Sequence, residues 1–236
     1  MRKTSLRHAL LMAAVFAGTA ALLASPVLAQ TPPGPPVCGG VASLMNVSLT
    51  QEGPGPKGDN IVSIPAISPI NNNPATFSNN GFHDLCRRFG LTGTTSTIIQ
   101  FNAQTGIPAT FICNQSIASS AFTPGQAVLI QPSANATGRI PGVECTRPYT
   151  AYVEAPGTLG DNLFPVPITY AGSKMFNICQ TFGLSTAASS VIRFHADTGS
   201  LDTVTCDQSA SVLTLGVGEG VLVRPGSTQT ATPLIF

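Results

Sequence analysis

One chain segment occurs twice. Residues 86–132 align with 179–225 without a gap, at an offset of 93, with 18 of the 47 positions identical. CRRFGLTGTTSTIIQFNAQTG matches CQTFGLSTAASSVIRFHADTG, CNQS matches CDQS, and PGQAVLIQP matches VGEGVLVRP. Upstream, GDNIVSIP (58–65) matches GDNLFPVP (160–167), and the first copy carries nine extra residues around 68–78. A long unit present twice gives two modules rather than a solenoid. The reading is residues 38–143 for module 1 and 144–236 for module 2, after a Pro-rich leader at 30–37 and a signal peptide at 1–29.

Both copies parse alike. A strand follows Gly-Asp-Asn and ends near Pro65 or Pro167. Asn80 and Ser173 are placed to cap a short helix, because their side-chain oxygens accept orphan backbone N–H bonds. Apolar residues then fall at i, i+3, i+4 and i+7: Phe82, Leu85, Cys86, Phe89 and Met175, Ile178, Cys179, Phe182. That is one helical face, closed by Gly90 or Gly183 in the left-handed C-terminal position. In the next strand Ile99 and Phe101, like Ile192 and Phe194, share a face, with Gln100 and Arg193 on the other. Thr105-Gly106 and Thr198-Gly199 make hairpin turns. Returning strands run to Cys113 and Cys206, and last strands cover 127–131 and 220–224. The order β-α-β-β-β predicts an α+β, β-dominated fold of two tandem modules, each with one short helix on a small antiparallel or mixed sheet.

The N-terminus reads as a secretory signal. Arg2, Lys3 and Arg7 precede the apolar stretch 9–23, and Val27-Leu28-Ala29 is a small-x-small cleavage site after Pro26. Cleavage after Ala29 would leave ten acids against eight bases, scattered and without a basic face, which argues against nucleic-acid binding. No second apolar run is long enough to span a membrane. The expected location is secreted or periplasmic.

Six cysteines in an exported chain predict disulfides. Cys86 and Cys113 are 27 residues apart, as are Cys179 and Cys206, so the repeat selects these as intramodule staples. Cys38 and Cys145 remain, and their pairing would clamp the modules. No C-x-x-C occurs and the spacings are far from zinc patterns.

No catalytic constellation recurs in both copies. His83 matches Phe176 and His195 matches Asn102, so a shared site cannot use histidine, and both read as surface residues. No G-x-S-x-G is present. Asp197, Asp202 and Asp207 gather in the second copy against Gln104, Ala109 and Asn114, a weak candidate metal site better read as a solvated hairpin. Asp59 and Asp161 recur one per module, in a Gly-Asp-Asn read as an Asx turn. Gly216 to Gly220 precedes a strand, so the phosphate-cradle context fails. With no Trp and only Tyr149, Tyr152 and Tyr170, ring stacking on sugars has few partners. No cofactor is expected.

GDNIVSIP, FHDLCRRFG, IIQFNAQTG and PGQAVLIQP together resemble a repeat of secreted Gram-negative bacterial proteins, roughly G-x-N-x-I-S-I-P, a Cys-bearing helix, then P-G-E before a last strand. The resemblance covers most of 58–132 and 160–225, departs at Phe164-Pro165, and transfers no catalytic residue. It implies a surface or extracellular protein. The leading expectation is a secreted, non-catalytic module pair in extracellular binding, adhesion or envelope structure, with an extracellular protein or glycan partner. The alternatives are a secreted hydrolase using acids of module 2, and an assembly subunit whose terminal strand, 230–236, offers an edge.

Overall fold

The computed structural model describes residues 37–51, 58–64, 81–103, 105–114, 126–151, 153, 162–166, 170, 172–216 and 218–235. The signal, the leader up to Pro36, Asn80, Asp161, Tyr152 and Phe236 lie outside them.

The chain is β-dominated. Among the described residues, its strands form three small antiparallel sheets, with two short helices. In the first module β2 (Asn60–Ile64) is followed by helix α1 (Gly81–Arg88), β3 (Thr97–Asn102), β4 (Ile107–Ile112) and β5 (Gln126–Gln131). In the second, β7 (Asn162–Pro165) is followed by α2 (Phe176–Thr181), β8 (Ser190–His195), β9 (Ser200–Thr205) and β10 (Gly220–Arg224). The sheet orders are β2-β5-β3-β4 and β7-β10-β8-β9, the same topology twice.

The repeat extends to single hydrogen bonds. Gly90 and Gly183 have φ of 66° and 64°, and Gly106 and Gly199 at the hairpin turns 68° and 69°. Leu91 and Leu184 N–H donate to the Cys86 and Cys179 carbonyls, both at 2.8 Å. Buried Ser96 and Ser189 use Oγ to accept from the N–H of Ser133 and Gly226, at 3.0 and 2.8 Å. Cys86–Cys113 and Cys179–Cys206 are disulfides, with Cα atoms 5.5 and 5.4 Å apart. Each ties the inner face of a helix to the end of the third strand of its module.

One expected cap is corrected. Helix α2 starts at Phe176, and its N-cap is Met175, which makes no side-chain cap bond. Ser173 is therefore not the cap. Its N–H donates to the Tyr170 carbonyl, and its own carbonyl accepts from Leu215 N–H at 2.8 Å. Burial of Met175 in the core fixes where the chain enters the helix, and that outweighs side-chain capping.

A third sheet has only its last strand, expected at 230–236, in the sequence reading. β1 (Val37–Leu49), β6 (Ala136–Ala151) and β11 (Gln229–Ile235) pair in the order β1-β6-β11. Leu49 opposes Ala136, and Ala151 opposes Gln229. These are the same repeat positions, so each module has an entering strand paired with a leaving strand. β6 is the leaving strand of the first module and the entering strand of the second. The boundary at 143/144 falls inside this continuous strand, not in a linker.

Three apolar clusters follow among the described residues. The first joins Leu85, Phe82 and Cys86 of α1 to Val62, Val128, Ile130 and Ile98 on one sheet face, with Leu49 and Ile140 of the third sheet. The second repeats this with Ile178, Cys179, Phe164, Val191, Val221 and Val223, and Ala151. The third is built from the opposite sheet faces: Ala127 and Leu129 of one module against Leu163, Ile192 and Leu222 of the other, flanked by Ile61, Ile99, Phe101 and Phe194. Alternation along β5 is visible residue by residue, since Val128 and Ile130 face the helix while Ala127 and Leu129 face the other module. Equivalent positions share this cluster: Ile61 and Leu163, Leu129 and Leu222, Ile99 and Ile192, Phe101 and Phe194. The modules pack through the same face.

Candidate functional site

At the rim of this seam lies an open cleft of about 270 Å³. One wall is the end of β1 with Asn46 and Ser48. The other is the β8–β9 turn with Phe194, His195 and Asp197, and Glu219 just before β10. Backbone bonds stitch the walls together. Gly58 N–H donates to the Ala196 carbonyl at 2.9 Å, and Ser63 N–H to the Gly218 carbonyl at 3.0 Å. Val62 and Glu219 form an isolated antiparallel bridge.

Gly220 permits the close approach of β2. A Cβ there would stand 2.4 Å from Ile61 Cγ2 and 3.2 Å from Ala127 Cβ. The matching position in the first copy is Ala127 itself, so the two equivalent positions approach each other closely, and Ile61 leaves no room for a side chain at 220.

In the first Gly-Asp-Asn, Asn60 keeps a local turn bond to Gly58 and also reaches beyond it. Asn60 is buried. Its Nδ2 donates to the carbonyls of Gly58, Thr50 and Ile130 at 2.8, 3.0 and 3.2 Å, and its Oδ1 accepts from Thr50 N–H at 2.9 Å. Asn162 repeats the last strand contact, donating to the Val223 carbonyl at 3.0 Å. Asp59 is also buried and accepts from Gln131 Nε2 at 2.7 Å. These side chains fasten the entry of β2 to β1 and β5, because a buried amide that fills its donors and acceptor locks the strands it bridges.

The second module's hairpin carries the charged groups. Arg193 and Asp202 are direct cross-strand partners, one pair along from Phe194 and Leu201. Arg193 Nε donates to Asp202 Oδ2 at 3.1 Å, and its Nη2 bonds the same oxygen. His195 Nε2 meets that oxygen at 2.8 Å. Arg193 Nη1 donates to the Thr214 carbonyl at 2.6 Å and lies 3.8 Å from Glu219 Oε2. Glu219 Oε2 also accepts from Gly216 N–H at 2.8 Å. The His195 hydrogen bond, with Arg193 beside it, holds the Asp202 carboxyl below the usual carboxylate range, against a partial burial that pulls the other way.

The three candidate aspartates do not converge. Asp202 lies under Arg193 and His195. Asp197 turns to its own loop, where Oδ1 accepts from Thr198 N–H at 2.9 Å. Asp207 is exposed on the turn after β9. No group of three metal-ligating side chains occurs among the described residues. Asp202 and His195 lie partly exposed on the hairpin and are bonded to each other. A histidine oriented by an aspartate is half of a nucleophilic triad. The hydroxyl directly across the hairpin, Ser200 Oγ, pairs instead with Thr198 Oγ1 at 2.7 Å.

Tyr149 and Tyr170 serve packing. Tyr149 meets Phe164 and Phe182 edge-on, with centroids 5.0 and 5.9 Å away, and donates to the Leu163 carbonyl at 2.9 Å. Tyr170 bonds Thr181 at 2.6 Å. His83 is half-buried on α1 and does not line the cleft.

Sequence reasoning missed Arg193 and Glu219. The Arg193–Asp202 pair is readable once the turn at Thr198-Gly199 sets the hairpin register. Glu219 had no local signal, since its place depends on how the modules meet. Compared with known protein families, curated proteins and solved structures, the chain matches none.

Proposed function

We propose that this chain is an exported, non-catalytic two-module protein that binds an extracellular protein or glycan of the bacterial envelope at the seam between its modules. One observation carries the reading: each carboxylate at the seam already serves a local structural donor. Asp202 holds Arg193 and His195, Glu219 holds Gly216 N–H, and Asp197 holds its own turn. A general acid or base needs a carboxyl that can exchange its proton with substrate, and these are engaged in holding the cleft's shape. Two disulfides fit an oxidising compartment, as do the signal-like N-terminus and the resemblance to secreted repeat modules. No described helix is long and apolar enough to cross a membrane.

Two other readings each have one observation. His195, Asp197 and Glu219 line the same cleft, which favours a hydrolase using acids of the second module. β11 ends the third sheet, which favours assembly through a strand edge.

The test is to incubate the mature protein with isolated Gram-negative envelope material and with soluble polysaccharides, then sediment and assay both fractions. The expected result is co-sedimentation without released reducing ends or peptides, weakened at least tenfold by Ser48→Arg, which fills the cleft. Product release that disappears in Asp197→Asn or Glu219→Gln would overturn the binding reading and favour the hydrolase.

A further inference from the structure

Four of the six cysteines are consumed by Cys86–Cys113 and Cys179–Cys206. The other two are Cys38 in β1 and Cys145 in β6, and the backbone register sets them directly opposite each other. Directly opposed residues on an antiparallel ladder have Cα atoms about 4.5–5.5 Å apart and project to the same face. A disulfide spans about 4.4–6.8 Å between Cα atoms. The Cα separation at such a rung therefore lies within a disulfide's reach, most closely at a non-hydrogen-bonded pair.

The surrounding ladder gives the rung a purpose. From Ala42 to Leu49, β1 pairs continuously with Val143 back to Ala136. Between Cys38 and Ala42 the register breaks, and only the rungs at Val37 and Cys38 lie beyond the irregularity. Gly39 and Gly40 fall in that break. Two backbone rungs isolated by a glycine-containing bulge hold a strand end weakly, and bulges end or redirect pairing.

We infer that Cys38 and Cys145 form a third disulfide, and that it fastens the far end of β1, the strand supplying the Asn46 and Ser48 wall of the cleft, to the strand shared by both modules. Two S–H bonds break as one S–S bond forms. The two protons and two electrons pass to the disulfide of an exported thiol oxidant, which leaves as a dithiol. The bond does not bridge two separate bodies, because β6 belongs to both modules. It anchors the entering strand of the first module, and with it one side of the cleft. The consequence for the cleft rests on the seam being the binding site; the bond itself does not.

The experiment uses the full exported chain. Non-reducing peptide mass spectrometry is expected to find one linked pair holding Cys38 and Cys145 that separates on reduction. A free thiol at either residue, or either one linked elsewhere, overturns the bond. In the double variant Cys38→Ser/Cys145→Ser, hydrogen exchange at the β1 amides is expected to speed up at least tenfold, while β8 to β10 keep their protection. Unchanged exchange in β1 overturns the fastening role. A linked pair in a protein that binds neither envelope material nor polysaccharide would overturn the seam reading and leave the disulfide standing.

Discussion

Asp202 gathers three donor groups onto one oxygen, and its charge is favoured by the His195 hydrogen bond first and by Arg193 beside it. A carboxyl whose pKa is lower folded than unfolded adds stability above its unfolded value, about 4, and loses it as pH falls through the folded one. Asp202→Asn is therefore expected to destabilise the protein at pH 7 by about 1 kcal/mol, the upper range for a half-open ion pair. The gap should close as the pH falls below about 4. Urea unfolding at neutral and acidic pH measures it, and an equal loss at both would show that packing, not charge, is the cause. Asn60 makes the opposite kind of demand. Its Nδ2 serves three carbonyls, so Asn60→Asp keeps the shape but turns a donor into an acceptor facing them. Buried and reversed in this way, the group is expected to cost about 2–3 kcal/mol. A loss no larger than that of Asn60→Ala would sink the donor argument.

Among the elements, the local ones were readable. The two helical faces, the glycine stops and the hairpin turns each depend on spacing within a dozen residues, and Phe82, Leu85, Met175 and Ile178 are all buried as that spacing requires. The strands β1 and β6 were not readable, and β11 was readable only as a terminal strand without its partner. β6 contains Pro141, Pro148, Gly138 and Gly142, which read as loop, and its pairing depends on partners far along the chain. Strand preference of this kind is decided by neighbours rather than by the residues themselves. The candidate site inherits that limit: its hairpin half follows from the turn, while Asn46, Ser48 and Glu219 reach it only through the third sheet and the seam. The seam depends in turn on Gly220. In Gly220→Val the new side chain would meet Ile61 and Ala127 at less than contact distance. Overpacking of this sort is expected to cost about 1–3 kcal/mol. The loss should be read as faster hydrogen exchange at Gly58 and Ser63, whose amides cross to the second module. Unchanged exchange at those two amides would mean the seam is looser than its geometry.

For the whole molecule, the shared strand and the shared face decide how it unfolds. β6 contributes Ile140 to the first core and Ala151 to the second, and the third core belongs to both modules. Neither module can lose its sheets without removing apolar cover from the other, so the two are expected to unfold in one cooperative step with disulfides intact. The chain offers its own reporters. It has no Trp, and its three Tyr all fall within residues 144–236. Tyrosine fluorescence therefore follows the second module, while far-ultraviolet circular dichroism follows both. Coincident urea midpoints by the two probes are the expected result, since coincidence is the mark of a two-state transition. Separate midpoints would mean that β6 joins the modules as a tether and not as a load shared between them. Gly220→Val sharpens the test, because it wedges the third core while leaving β6 in place. If the third core does the coupling, the midpoints separate in that variant. If β6 alone does it, they move together to lower urea.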